Sequence, residues 1–319
     1  MISITIITPA YNAEHFIAEV IESVRSQVGL QYEHIVVDDG STDNTASILA
    51  RYSKLDSRIV PIFQQNQGEA TAINNAYKLA RGDYIAVVNA DDPLLPNSLR
   101  ESLNVFSKYP CTVCVYPDWK MIDTKSTVIR IVNTIEFSYK ALIADFVCIP
   151  GPGAVFRASA VKRDYLRDTN LKYLSDFEFW LELSKSGSFR RNPIIGATWR
   201  RHTDGQTALI DPVRYAFEVE YVRNKAQVLV QEHTDNPKEF WLWSRSLVAH
   251  SAYYVALKSL NSKEIPGRRL IGRSLSQKPF PSRGYETHHR NPLAVLCVLM
   301  KPLGNPILRI RDGIRYGRR

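Results

Sequence analysis

Residues 2–89 alternate two kinds of segment, and that alternation restricts the fold more than any other feature of the 319-residue chain. Ile2 to Thr8 is a short, β-rich apolar run. Phe16, Ile17, Val20, Ile21 and Val24 then recur at helical spacing behind Asn12, a candidate N-cap. The pattern repeats with Ile35 to Asp38 as strand, Thr45 to Tyr52 as helix, Arg58 to Phe63 as strand, Glu69 to Ala80 as helix and Asp83 to Asn89 as strand. Four apolar strands separated by three helices predict an α/β fold with a mostly parallel, twisted sheet and helices on both faces. Ligands of such sheets bind at the carboxyl ends of the strands. The segments to read are therefore Thr8 to Asn12, Asp38 to Asp43 and Asn89 to Asp92, all rich in polar and turn-forming residues.

The middle third continues with a strand from Cys111 to Tyr116, a Gly151-Pro152-Gly153 turn, a helix from Asp176 to Ser184 introduced by Ser175, and a strand from Ile194 to Thr198. Beyond residue 210 the strand signal fades, and Pro212 to Gln231 and Lys238 to Leu260 read as helices. Charge supports three parts. Residues 1–209 carry 22 Lys and Arg against 23 Asp and Glu, residues 210–267 carry 7 against 7, and residues 268–319 carry 12 against 2. The expected organisation is a working domain over 1–209, a helical appendage over 210–267 and a basic, partly apolar tail over 268–319.

Hydrophobic residues at 45% and charged residues at 23% exclude wholesale disorder and fibrous or low-complexity classes. Four cysteines are too few for a disulfide scaffold, and no secretory leader opens the sequence, so a reducing cytoplasm is the expected home. The Cys111/Cys114 pair has no second pair to complete a zinc site and reads as part of a core strand. The longest apolar run, Pro292 to Met300, is nine residues, against roughly 20 for a membrane-spanning helix.

The chemistry-bearing residues are acidic. Asp38 and Asp39 end one strand, where they can accept hydrogen bonds from a base or ribose or bind a cation. A helix start capped by Ser41, Thr42 or Asp43 beside two solvated acids accounts for them equally well. Asp91 and Asp92 follow another strand. Two acidic clusters at neighbouring strand ends repel unless a cation or donors lie between them, which suggests magnesium or manganese shared with a diphosphate.

Taken together, Pro9-Ala10-Tyr11-Asn12, Val36 to Asp43, Asn66-Gln67-Gly68 with Ala72-Ile73-Asn74, Gly82-Asp83-Tyr84 and Ala90-Asp91-Asp92 resemble the family 2 inverting glycosyltransferases of the GT-A fold. The resemblance covers residues 1 to about 205 and implies a Rossmann-like sheet, a nucleotide-diphosphate-sugar donor and a Mn2+ or Mg2+ ion. It places the base-packing aromatic on Tyr11 and a base-binding carboxylate on Asp39, with Pro9 and Asn66 also on the donor side. The family's metal-binding Asp-x-Asp falls on Asn89-Ala90-Asp91, so Asn89 is left to bind a ribose hydroxyl and Asp91 to touch the metal. The family's Glu-Asp element falls on Ser175-Asp176, which makes Asp176 the catalytic base. Ser175 with Glu178 reads equally as a capping box. His202 corresponds to a residue that reaches the metal or diphosphate, and Arg201 or Arg200 to a cation on the leaving group.

The implied function is transfer of a sugar to a saccharide or lipid-linked saccharide acceptor, in cell-surface polysaccharide or lipopolysaccharide synthesis. The basic tail then suits peripheral attachment to an anionic membrane at its cytoplasmic face. Two alternatives are a non-catalytic nucleotide-sugar-binding descendant and a sugar nucleotidyltransferase, although no Gly-rich basic loop follows the first strand. A nucleic-acid partner is not expected, because residues 1–209 are close to neutral.

Overall fold

The computed structural model describes residues 3–226 except 145–146, 162–165, 204, 206–209, 212–213, 216, 220 and 223. The basic tail and most of the expected helical appendage lie outside the described residues. The chain divides into two units, Met1–Val248 and Ala249–Arg319. Every described residue belongs to the first.

Eight strands form one sheet, in the order β3-β2-β1-β4-β7-β5-β6 with β8 also paired to β5. β1 (Ile4–Ala10), β2 (Tyr32–Asp39), β3 (Ile59–Gln64) and β4 (Tyr84–Val87) run parallel, separated by α1 (Ile17–Arg25), α2 (Thr45–Leu55) and α3 (Glu69–Leu79). After α4 (Ser98–Lys108) come β5 (Thr112–Ile122), β6 (Val128–Val132), β7 (Val155–Arg157), α5 (Ser175–Ser184) and β8 (Ser188–Arg200). The sequence pattern had not marked α4, β6 or β7. It had also cut β5 and β8 short, because the second half of β5 and the first half of β8 interleave polar residues with apolar ones.

Alternation along β1 builds the two layers. Ile4 and Ile6 join Val20 and Val24 of α1 and Leu99 and Phe106 of α4, whereas Ile7 joins Ala72, Ile73 and Ala76 of α3 and Phe179 and Trp180 of α5. Each such fully buried aliphatic side chain contributes about 1.5–3 kcal/mol relative to exposure. Pro9 sits inside β1 opposite Val37 without breaking the sheet. The Ile7 carbonyl accepts from Val88 N, so the β4 side is the one that Pro9, two residues on, also faces, and β4 has ended by then. The missing N–H therefore costs no ladder bond.

Strand direction decides where the site lies. β7 is antiparallel to β4, β5 antiparallel to β7, and β8 parallel to β5. β8 consequently runs with β1–β4 and delivers residues 200–202 to the same carboxyl edge. Three expectations need correction. Asn12 is no N-cap: it adopts φ 49°, and α1 starts at Ile17. Its Oδ1 accepts from Thr42 N (2.8 Å), while Asn12 N and Ala13 N donate to Ser41 Oγ and Thr45 Oγ1, which zips the loop after β1 to the loop after β2. The acidic clusters after β2 and β4 are not neighbours, since β1 lies between them. Ser175 is the first residue of α5, whose N-cap Leu174 makes no side-chain capping bond, so no capping box forms.

Candidate active site

The edge is built from donors and acceptors that the loops hold in place. Asp39, at the end of β2, is buried and accepts from Gln64 Nε2 (2.7 Å), Gln67 N (2.8 Å) and Gly68 N (2.8 Å). It thereby shapes the 64–68 turn that carries the exposed Asn66 and opens α3. Gly40 makes this turn possible: at φ +74° it lies so near Asn66 N that a Cβ would stand 2.7 Å away. Tyr11, just past β1, is 52% exposed at this edge.

After β4, Asn89 donates its amide to Asp92 Oδ2 (3.0 Å), and buried Asp92 also accepts from Arg200 N (2.6 Å). Burial, with Asp91 adjacent, pushes the Asp92 carboxyl well up from its ordinary range, against the opposing Arg200 and Asn89 bonds. Arg200 is spent in structure. Its guanidinium donates to the Asp91 and Asp123 carbonyls, Ser126 Oγ and Glu19, and lies over the Phe16 ring, so it is not free to meet a leaving group. Arg201 is exposed. His202 Nε2 lies 2.9 Å from Asp91 Oδ2, with its ring against Phe16 at 5.3 Å. These two residues, 111 positions apart, are the expected metal ligands and they are in contact. No cluster of three or more His, Cys, Asp or Glu able to hold a metal occurs among the described residues. One carboxylate and one imidazole suit an ion that keeps waters and takes substrate phosphates as further ligands.

Asp176 is exposed in the first turn of α5, with Cys148 Sγ at 3.8 Å from Oδ2. The Gly151-Pro152-Gly153 turn follows Cys148; Gly151 packs on Trp119, and a Cβ on Gly153 would meet Ala197 at 2.7 Å. Glu69 feels charge from both sides. Its carboxyl stands at the α3 N-terminus, reachable by solvent yet ringed by enough protein that lost hydration raises its pKa to about 7. Arg167 opposes that rise, and the charges of Asp176 and Asp91 reinforce it. Arg167 is itself buried, donates to the Ser175 carbonyl (3.2 Å) and lies over the Phe179 ring at 4.8 Å. Neither Glu69 nor Arg167 was anticipated. Glu69 was within reach of the strand-end rule, since it follows β3 by five residues, whereas nothing local distinguishes Arg167 from any surface arginine.

Chondroitin synthase of Escherichia coli is 31% identical over 188 residues, covering 59% of this chain and 27% of that protein. A putative teichuronic acid biosynthesis glycosyltransferase of Bacillus subtilis, TuaG, is 38% identical over 109 residues, 34% of this chain and 43% of that one. The chain thus spans less than half the length of either relative. Among solved structures, S. aureus TarS 1–349 in complex with UDP-GlcNAc aligns with a TM-score of 0.61 at 16% identity, over 88% of this chain and 93% of that one. A mannosyltransferase from Pyrobaculum calidifontis, in complex with GDP-Man and Mn2+, aligns with a TM-score of 0.56 at 17% identity, over 86% and 79%. The mostly parallel sheet is therefore that of the GT-A glycosyltransferases. The model of "Glycosyl transferase family 2" matches residues 5–169, more than half of the sequence, and the chain belongs to that family.

Proposed function

We propose that the chain is an inverting glycosyltransferase that moves a sugar from a nucleotide-diphosphate donor to a saccharide or lipid-linked saccharide acceptor, in the synthesis of a cell-surface polysaccharide or lipopolysaccharide. The observation that carries this reading is the contact of Asp91 with His202, 111 positions apart, at the carboxyl edge of the sheet that also holds Asp39 and the 64–68 turn. Relatives named for chondroitin and teichuronic acid synthesis support the substrate class.

In this reading the exposed Tyr11 ring offers a face to the base, and Asp39 accepts a base N–H with the acceptor capacity that its three loop donors leave over. Pro9 and Asn66 line the same edge, Asn89 meets the ribose, and Arg201 brings an exposed positive charge to the diphosphate. Asp91 and His202 would hold a Mn2+ or Mg2+ ion, which when bound neutralises charge on the diphosphate. Asp176 takes the proton of the acceptor hydroxyl as that oxygen bonds to the anomeric carbon; the bond to the diphosphate oxygen breaks on the opposite face, and its electron pair leaves with the nucleoside diphosphate.

Asp176→Asn should lower transfer by about 10²–10⁴-fold while nucleotide affinity stays within about twofold. A variant that turns over donor at the wild-type rate would refute the assignment. Thermal shifts with UDP, GDP, dTDP and CDP, each with and without manganese, identify the nucleotide, because a ligand of the native state alone raises its apparent stability. The basic residues of 268–319 would hold the enzyme at an anionic, cytoplasm-facing membrane surface.

A further inference from the structure

The helical segment at 214–226 lies beyond the family match, which ends at residue 169, and it is helical at every described position. Its apolar face buries Tyr215, Val219, Val222 and Ala226. The polar residues of the segment grip the loop and helix that carry Asp176. Glu218 is 4% exposed. Its Oε1 accepts from Lys172 N (2.8 Å) and Arg214 Nε (3.0 Å), and its Oε2 from Tyr173 N (2.7 Å) and Leu174 N (3.1 Å). Four donors fill the acceptor capacity of one carboxylate. Three of them are backbone N–H groups leading into α5, which has no side-chain cap of its own, so a negative charge from another helix occupies the α5 N-terminus.

The second grip follows one helical turn later in α5. Lys225 Nζ donates to Glu178 Oε1 (2.6 Å), which is fully buried, and to Asp168 Oδ2 (3.2 Å), which also accepts from Tyr221 OH (2.7 Å). Asp176 lies two residues after Leu174, the last amide held by Glu218, and two before Glu178, the carboxylate held by Lys225. Among the described residues the Asp176 carboxylate is hydrogen-bonded by the Cys148 thiol and the neighbouring Phe177 N–H, with the charge of Arg167 acting on it, so its place depends chiefly on the backbone on either side.

We propose that Glu218 and Lys225 are positioning residues, a brace from outside the matched family region that fixes the catalytic carboxylate against the acceptor hydroxyl. The proposal rests on Asp176 being the base. A carboxylate displaced by about 1 Å forfeits on the order of 100-fold in rate, so the brace should be read in turnover and not in nucleotide binding.

The test is Glu218→Gln in the full chain, with Glu178→Gln/Lys225→Met, which removes the second ion pair while Asp168 keeps its Tyr221 and Asn170 donors, and Asp176→Asn as control. Turnover, donor KM, nucleotide affinity and hydrogen exchange at Lys172, Tyr173 and Leu174 are measured for each. The expected result is a fall in kcat of about tenfold or more in Glu218→Gln, faster exchange at the three amides, and nucleotide affinity and donor KM within about twofold of wild type. If Glu218→Gln does not fold, the double variant decides by the same kcat criterion. Wild-type kcat in the variant that decides, with Asp176→Asn inactive, overturns the brace alone. An active Asp176→Asn overturns the base and the brace together. Nucleotide affinity falling in step with kcat, or failure of both variants to fold, reduces the segment to a stabilising role and overturns the proposal.

Discussion

Asp39 illustrates how one carboxylate serves fold and site together. Its three donors all come from residues 64–68, so Asp39→Asn would set an amide against the Gly68 and Gln67 N–H groups and leave a donor without an acceptor. The expected cost is about 1–3 kcal/mol of stability, read by denaturant melts, with a parallel loss of nucleotide affinity. Glu69 sets a pH dependence. Below pH 7 it is neutral in the cleft, and above pH 7 it adds a negative charge where a diphosphate is expected, so nucleotide affinity should weaken as pH rises through 7. Calorimetry from pH 5.5 to 8.5 should find this inflection gone in Glu69→Gln. His34 acts in the opposite pH window and on stability. Buried beside Thr8, it is held down to about 3 by lost hydration, against a small pull from Asp56. Between pH 6.5 and 3 the unfolded chain binds a proton that the folded chain refuses. Its contribution is therefore whole above pH 6.5 and is lost as pH falls toward 3, with a slope of up to about 1.4 kcal/mol per unit. His34→Gln should flatten stability against pH across that window.

At the scale of elements, the cleft depends on ends that cannot hold themselves. The loop after β1 is fixed by Ser41 and Asp43 in the loop after β2 and by Thr45 at the start of α2, the 64–68 turn by Asp39, and the residues leading into α5 by Glu218. The end of β8 is tied to the loop after β4 through Arg200 and Asp92. Arg200→Met would leave the Asp91 and Asp123 carbonyls without their charged donor inside the protein and release Glu19. The expected loss is about 3 kcal/mol, together with a weaker metal response in thermal shift, because His202 follows on the same strand end. These ties also explain what was legible. The strings around Asp38–Asp43 and Asn89–Asp92 stood out because polar residues crowd strand ends, where the backbone turns. Arg200 was misjudged because a sequence shows a cation and not the four acceptors and the ring that consume it.

At the scale of the whole molecule, charge separates an almost neutral sheet region from the strongly basic residues 268–319. Deletion of 268–319 is expected to abolish co-sedimentation with anionic vesicles and to leave transfer to a soluble acceptor unchanged; unaltered sedimentation would remove the membrane reading. Among the described residues no helix is long and apolar enough to cross a membrane. The order of strands and helices through β4 was determined by the sequence alone, since a periodicity of two or of 3.6 is a property of consecutive residues and survives without any partner. The family motifs belong to the same class, because each is a short string at a strand end. What only the tertiary structure decided is which distant residues meet: Asp91 with His202, Asp92 with Arg200, and Glu218 with the backbone before Asp176. Those meetings follow from strand order, from β8 joining β5 in the parallel sense, and from a helix folding back on a loop some 45 residues earlier. No local pattern encodes them, because contact between residues far apart along the chain is fixed by the packing of whole faces and not by spacing.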